Sequence, residues 1–247
     1  MSGAGAQPAP QRAHHQMGRH AASQNRSPMA HLLHALNQPL TGLQCSLELA
    51  VAGPRGAEQH LRTLRDALDL TVRMRILVEA IREIADLQEA DPQTADPDPN
   101  EPLGLDAVLR ETAEDLTPVA EARNVQLRMA TNVSLPVRAS RLRLAPLMFR
   151  TLESTVSLAL EGSDVQLTAK PEGNHAVLRI AWAEPTPTEH SAFSPPELGL
   201  LIAQVGWERA GATWLSDRAG QTRTCTIRLP LTFSETGAMG VDTEELP

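Results

Sequence analysis

Aromatic side chains are nearly missing from this sequence: its 247 residues include three Phe, three Trp and no Tyr. A base-stacking surface for nucleic acid and an aromatic cage for a ligand cation both need several such rings, so neither has material here. Positive charge is also in deficit, with 22 Lys and Arg against 30 Asp and Glu, for a formal net charge of −8. A protein that grips a phosphate backbone needs a basic face, so no nucleic-acid partner is expected. Cysteine occurs only at 45 and 225, far apart and without metal-ligand spacing. The two fall in a helical and a strand-like pattern and read as buried thiols of a reducing compartment. No apolar run approaches the roughly 18 residues of a membrane span, nor do the first residues carry the apolar core of a secretory signal. The expectation is a cytoplasmic protein without membrane contact. Hydrophobic residues at 41% and charged residues at 21% are ordinary for a chain that buries a core. The length suits a small helical module plus one domain of ordinary size.

Composition changes in steps along the chain. Residues 1–27 are rich in Ala, Gln, Gly, Pro and His without an apolar period, as in a disordered tail. His14, His15 and His20 lie there with nothing to fix a ligand geometry, so no metal site is expected. Next, Leu33, Leu36, Leu40, Leu43, Leu47 and Val51 recur at spacings of three and four, one stripe of an amphipathic helix. Gly53-Pro54-Arg55-Gly56 breaks the stripe, and a second helical pattern with Leu61, Leu64, Leu68, Val72, Leu77, Ile81 and Ile84 runs to about Glu89. Together they predict an antiparallel helical hairpin over 28–90. Two helices cannot bury such stripes alone, so a homodimer completing a four-helix bundle is expected. Residues 91–102, rich in Pro and Asp, read as a stiff linker. Across 103–233 the periods alternate, predicting helices over 105–122, 142–160 and 196–210 and strands over 125–129, 165–169, 176–182, 212–216 and 222–230. The predicted fold class is α+β, a long helical hairpin followed by a sandwich of helices on a mixed sheet. An acidic tail over 234–247 ends the chain.

The first helix contains His34-Ala35-Leu36-Asn37-Gln38-Pro39-Leu40. His34 follows the stripe residue Leu33 by one position and is turned about 100° from it, so its imidazole flanks the seam and reaches solvent. Pro39 removes the N–H that would meet the Ala35 carbonyl and predicts a bend beside His34. This segment resembles the dimerisation and phosphotransfer helix of bacterial sensor histidine kinases, where a His is followed by an acidic residue, then Asn or Arg, and Pro-Leu. The resemblance implies that His34 is the phosphoacceptor, with Asn37 and Gln38 beside it in the catalytic surface. Gln38 stands where a family amide or hydroxyl positions water, and Pro39 marks the helix bend at the docking site of a response-regulator receiver. His31, one turn earlier, is the alternative acceptor and lacks the motif context. The family's acidic residue, which orients the imidazole for attack on ATP, is here Ala35. That departure speaks against autokinase chemistry and leaves exchange with a receiver aspartate open.

Residues 103–233 resemble the ATP-binding domain of the same family, with its nucleotide motifs changed. The helix that carries two magnesium- and phosphate-contacting asparagines corresponds to Leu147–Thr155, with Arg150 and Ser154 in their places. A cation at a metal-proximal position opposes magnesium, which wants hard oxygen ligands. The adenine motif Asp-x-Gly-x-Gly aligns with Glu184-Pro185-Thr186-Pro187-Thr188, in which both glycines are gone. Backbone that must approach a ligand or take positive φ has no substitute in β-branched residues. The second glycine motif survives as Gly199, preceded by Pro195-Pro196-Glu197. The resemblance therefore implies a kinase-like scaffold with no tightly bound cofactor, no ATP and no metal of its own, any magnesium being supplied by a receiver. The partners it implies are response-regulator receivers, a second copy of the chain and a sensor kinase. The function expected is phosphotransfer between His34 and receiver aspartates. A pseudokinase scaffold that binds receivers or a kinase without carrying phosphate stands as the alternative, and an active ATP-dependent kinase as a third reading.

Overall fold

Helix-forming periodicity, proline placement and strand alternation sort the chain into the elements of a computed structural model that describes residues 28–52, 56–89, 102–131, 133–185 and 193–232. The expected tails, residues 53–55 of the turn, nearly all of the 91–102 linker and Thr186-Pro187-Thr188 lie outside the described residues. The first two helices are α1, Pro28–Val51, and α2, Ala57–Glu89. They are followed by β1 (Leu103–Gly104), α3 (Leu105–Ala122), β2 (Gln126–Ala130), β3 (Pro136–Val137) and α4 (Arg141–Leu158). The chain continues through β4 (Asp164–Glu172), β5 (His175–Ala183), α5 (Pro195–Arg209), β6 (Thr213–Ala219) and β7 (Thr222–Pro230). Two compact units result, one ending at Leu70 and the other beginning at Thr71, so the division falls within α2.

In the first unit α1 runs unbroken through Pro39. At Gly42 an added Cβ would meet the Leu70 side chain at 3.5 Å, an ordinary van der Waals contact, so α1 and α2 touch there. The buried positions of α1 are Leu32, Ala35 and Pro39. The leucine stripe read from the sequence is instead largely outward: Leu33, Leu40 and Leu47 on α1 and Leu61, Leu64 and Leu68 on α2 are each about half exposed. Small residues let helices approach, so the single chain packs its small side and leaves the large apolar one uncovered.

The second unit carries a five-stranded mixed sheet ordered β2-β4-β5-β7-β6, with β2 parallel to β4 and all other pairs antiparallel. Glycines at φ +58° (Gly173) and +62° (Gly220) make the β4–β5 and β6–β7 turns, a conformation a Cβ would strain. A two-residue ladder, Leu103 with Val137 and Gly104 with Pro136, forms a separate β1–β3 sheet that the sequence pattern did not predict. On α3, Leu105, Val108, Leu109, Thr112, Leu116 and Ala120 are buried at helical spacing. They join Met148 and Leu152 of α4, Trp207 of α5, and Leu167, Ile180 and Ile227 of the sheet in one core. Trp207 keeps its indole N–H satisfied by donating to the Thr151 hydroxyl at 3.0 Å. Arg123 donates to the carbonyls of Val156 (3.2 Å) and Ser157 (2.9 Å), capping the C-terminal end of α4. Among the described residues no helix is long and apolar enough to cross a membrane.

The cysteines do not share the buried setting expected of them. Cys225 is buried on β7, whereas Cys45 is exposed on α1. Burial pushes the Cys225 thiol up from about 9.0 to about 11, since a thiolate there would lose its hydration. The unfolded chain sheds that proton first, so stability falls as pH rises from about 9 toward 11. Thiol titration of the native protein at pH 8 is expected to modify Cys45 alone, and a second thiol should react only in denaturant. Fast native reaction of Cys225 would contradict this core.

Candidate functional site

The face of α1 around His34 is an open groove lined by His34, Asn37, Gln38, Thr41, Gly42 and Cys45. These positions fall at helical offsets of 3, 4, 7, 8 and 11 from His34, so they share one side of the helix. His34, Asn37, Gln38 and Thr41 are all exposed. The Thr41 hydroxyl donates to the Asn37 carbonyl at 2.9 Å, which ties down the turn that Pro39 deprives of a backbone donor. Pro39 is buried beneath the groove, and Ala35, at the family's acidic position, is 4% exposed and offers His34 no partner. His31 is half-buried one turn earlier and does not line the groove. Thr41, Gly42 and Cys45 went unnoticed in the sequence, although their spacing of two and three turns from His34 is legible there.

Arg150, Ser154, Glu184 and Gly199 of the second unit each have a close neighbour within the chain. Arg150 forms an ion pair with Glu83 of α2. Ser154 is 5% exposed, and a Cβ at Gly199 would sit 2.2 Å from its hydroxyl oxygen. That glycine therefore serves the close packing of α4 on α5. Pro195, Pro196 and Glu197, which replace the glycine-rich approach to this helix, start it: Ser194 donates its N–H to the Glu197 carboxylate at 2.7 Å, and both prolines occupy the first turn. Ser-x-x-Glu is a helix-start signal that the comparison with a glycine motif obscured.

Glu184 is the most altered of these positions. It is only 7% exposed, and its Oε1 accepts from the Trp182 indole at 2.9 Å and from Arg223 at 3.2 Å. Arg218 closes on Oε2 at 2.9 Å, and the Arg223 guanidinium lies 5.6 Å from the Trp182 ring centroid. Register places the partners, since Trp182 pairs with Arg223 on β7 and Arg223 with Arg218 on β6. A buried carboxylate persists as an ion only with such company. Its lone pairs are thus engaged inside the protein. The cleft beside Arg150 and Ser154, about 420 Å³, is lined by Glu79, Glu83 and Glu153 as well. Three carboxylates and one arginine give the cleft a net negative lining.

No protein-family model and no curated protein matches the sequence. Solved structures do match. The histidine kinase AdeS of Acinetobacter baumannii is similar at a TM-score of 0.51 and 18% identity, covering 81% of this chain and 98% of that one. Full-length ShkA, solved in complex with AMPPNP, is similar at a TM-score of 0.51 and 17% identity, over 82% of this chain and 46% of its own, so the present chain spans under half of that protein. With the order of elements, the mixed sheet and the hairpin ahead of it, these likenesses give the chain the fold of a sensor histidine kinase core, a helical hairpin followed by an ATPase-like α/β domain.

Proposed function

We propose that this chain is a two-component phosphotransfer protein of the cytoplasm, carrying a phosphoryl group on His34 and exchanging it with response-regulator aspartates without using ATP. One contrast carries the reading: His34 is exposed at the head of an open groove, while Arg150, Ser154, Glu184 and Gly199 are each paired or packed against another part of the chain. A receiver docked along the groove, past Gln38 and Thr41, sets its aspartyl phosphate in line with the imidazole. The ring nitrogen bonds to phosphorus as the bond to the aspartate oxygen breaks, and the reverse step loads a second receiver. Such transfer relies on positioning and charge stabilisation more than on covalent help, and the receiver brings its own magnesium. Ala35 beside His34 supports this direction, since an imidazole without an adjacent carboxylate lacks the orienting group expected for attack on ATP.

The outward leucines of the hairpin support a homodimer. Leu33, Leu40 and Leu47 with Leu61, Leu64 and Leu68 form an apolar face whose burial by a second copy would stabilise by about 1 kcal/mol for each half-exposed leucine.

Three expected outcomes test the proposal. Incubated with a phosphorylated receiver, the native chain should acquire label and His34→Ala should acquire none, while labelled ATP alone should label neither. Label from ATP would make the protein a kinase, and binding of the receiver without label would make it a scaffold. Glu184→Ala should lower unfolding stability by about 2 kcal/mol in a denaturant titration, because two arginines and an indole lose their acceptor. The transfer rate per folded molecule should stay unchanged in that variant. Leu64→Glu with Leu68→Glu should sediment as a monomer at concentrations where the native chain is dimeric.

A further inference from the structure

The last turns of α2 have needs that their own sequence leaves unmet. A helix C-terminus exposes four carbonyls without intrahelical partners and carries a partial negative charge, which basic residues of the last turn commonly offset. The last turn of α2 contains no basic residue and instead places Asp86 and Glu89 near that negative end. Cations from other elements are found there. Arg209, the last residue of α5, donates to the Gln88 carbonyl at 2.6 Å, and Arg150 of α4 pairs with Glu83. One and two turns before Glu83, Ala80 and Ile76 of α2 line a common cleft with Leu198 and Ile202 of α5.

We propose that Arg150 and Arg209 form a clasp that fastens the end of α2 to α4 and α5, so that the last turns of α2 and the sheet domain behave as one body. Arg150 is then a positioning residue, and the substitution that sets a cation against magnesium also supplies a tether. Neither contact is strong by itself, because half-exposed ion pairs contribute little. They act on segments of one chain, however, where the effective concentration of one partner near the other is high and weak contacts add. The arginines sit on different helices and reach different groups of α2, so the two contacts restrict rotation as well as separation. The clasp does not depend on the role of His34.

Amide hydrogen exchange of the full chain tests it directly. Arg150→Glu and Glu83→Arg should each speed exchange in the last turns of α2 at least tenfold, and Arg209→Ala should do so for the amides nearest Gln88. Combining Glu83→Arg with Arg150→Glu should bring exchange back to within about threefold of the native rate, since the pair is restored with its signs reversed. The amides of β5, at the centre of the sheet, are the internal control and should keep native protection throughout. Single reversals that leave α2 at its native rate, or a double reversal as open as the single ones, would overturn the clasp. So would loss of protection in β5, because Arg150 would then be supporting the domain itself.

Discussion

How closely α5 can approach α4 decides much of what surrounds them. Two positions on α5, Gly199 and Gly206, have no side chain where α4 presses in: a Cβ at either would lie 2.2 Å from a side-chain atom, of Ser154 in one case and Leu147 in the other. Seven residues is almost two full turns, so both notches lie on one face of the helix. Seated in them, α4 turns Arg150 and Ser154 toward the same cleft as Pro195, Pro196 and Gly199. The placement of Trp207 against Thr151 follows from the same approach. Gly199 and Gly206 thus serve the packing of α5 on α4.

Arg150, Ser154 and Glu184 each have a partner or close neighbour within the protein. Glu184 is the most fully engaged of the three. A buried carboxylate with an incomplete set of partners is costly, whereas one with two guanidiniums and an indole holds β5, β7 and β6 together. Any ligand contact to this carboxylate would mean giving up those bonds. By contrast, the groove on α1 has almost no internal polar commitments beyond the Thr41 bond.

The parts of this architecture that rest on local repetition could be read from the residues. Helix α3 was expected over 105–122 and occupies those positions, since Leu105 to Ala120 repeat at helical spacing and Asn124, at φ 54°, takes the turn that ends the segment. Strands β5 and β7 matched their alternation within a residue. The two-residue strands β1 and β3 were invisible because a period cannot be seen in so short a run. The leucine stripe of α1 was seen, but which side the single chain covers depends on Ala35, Pro39 and Gly42, whose value lies in being small. Cys45 was misplaced for the same reason. The partners of Glu184 depend on sheet register across β5, β7 and β6, and those of Arg150 on a helix 67 residues away in sequence, neither of which a linear pattern contains.

The strand order also bears on how the domain is assembled in time. The hairpins β4–β5 and β6–β7 close over turns of a few residues, so each can form early. Joining them requires β5 to find β7, whose nearest partners, Ala183 and Thr222, are separated by a long stretch that contains α5. Closing that loop costs entropy before the sheet returns any contact, as does pairing β2 with β4, whose partners are about as far apart in sequence, and these two closures are the slow events of folding. Helix α5 travels inside the closing loop and meets α4 only as the sheet is completed, so the glycine notches that set the cleft are filled among the last steps.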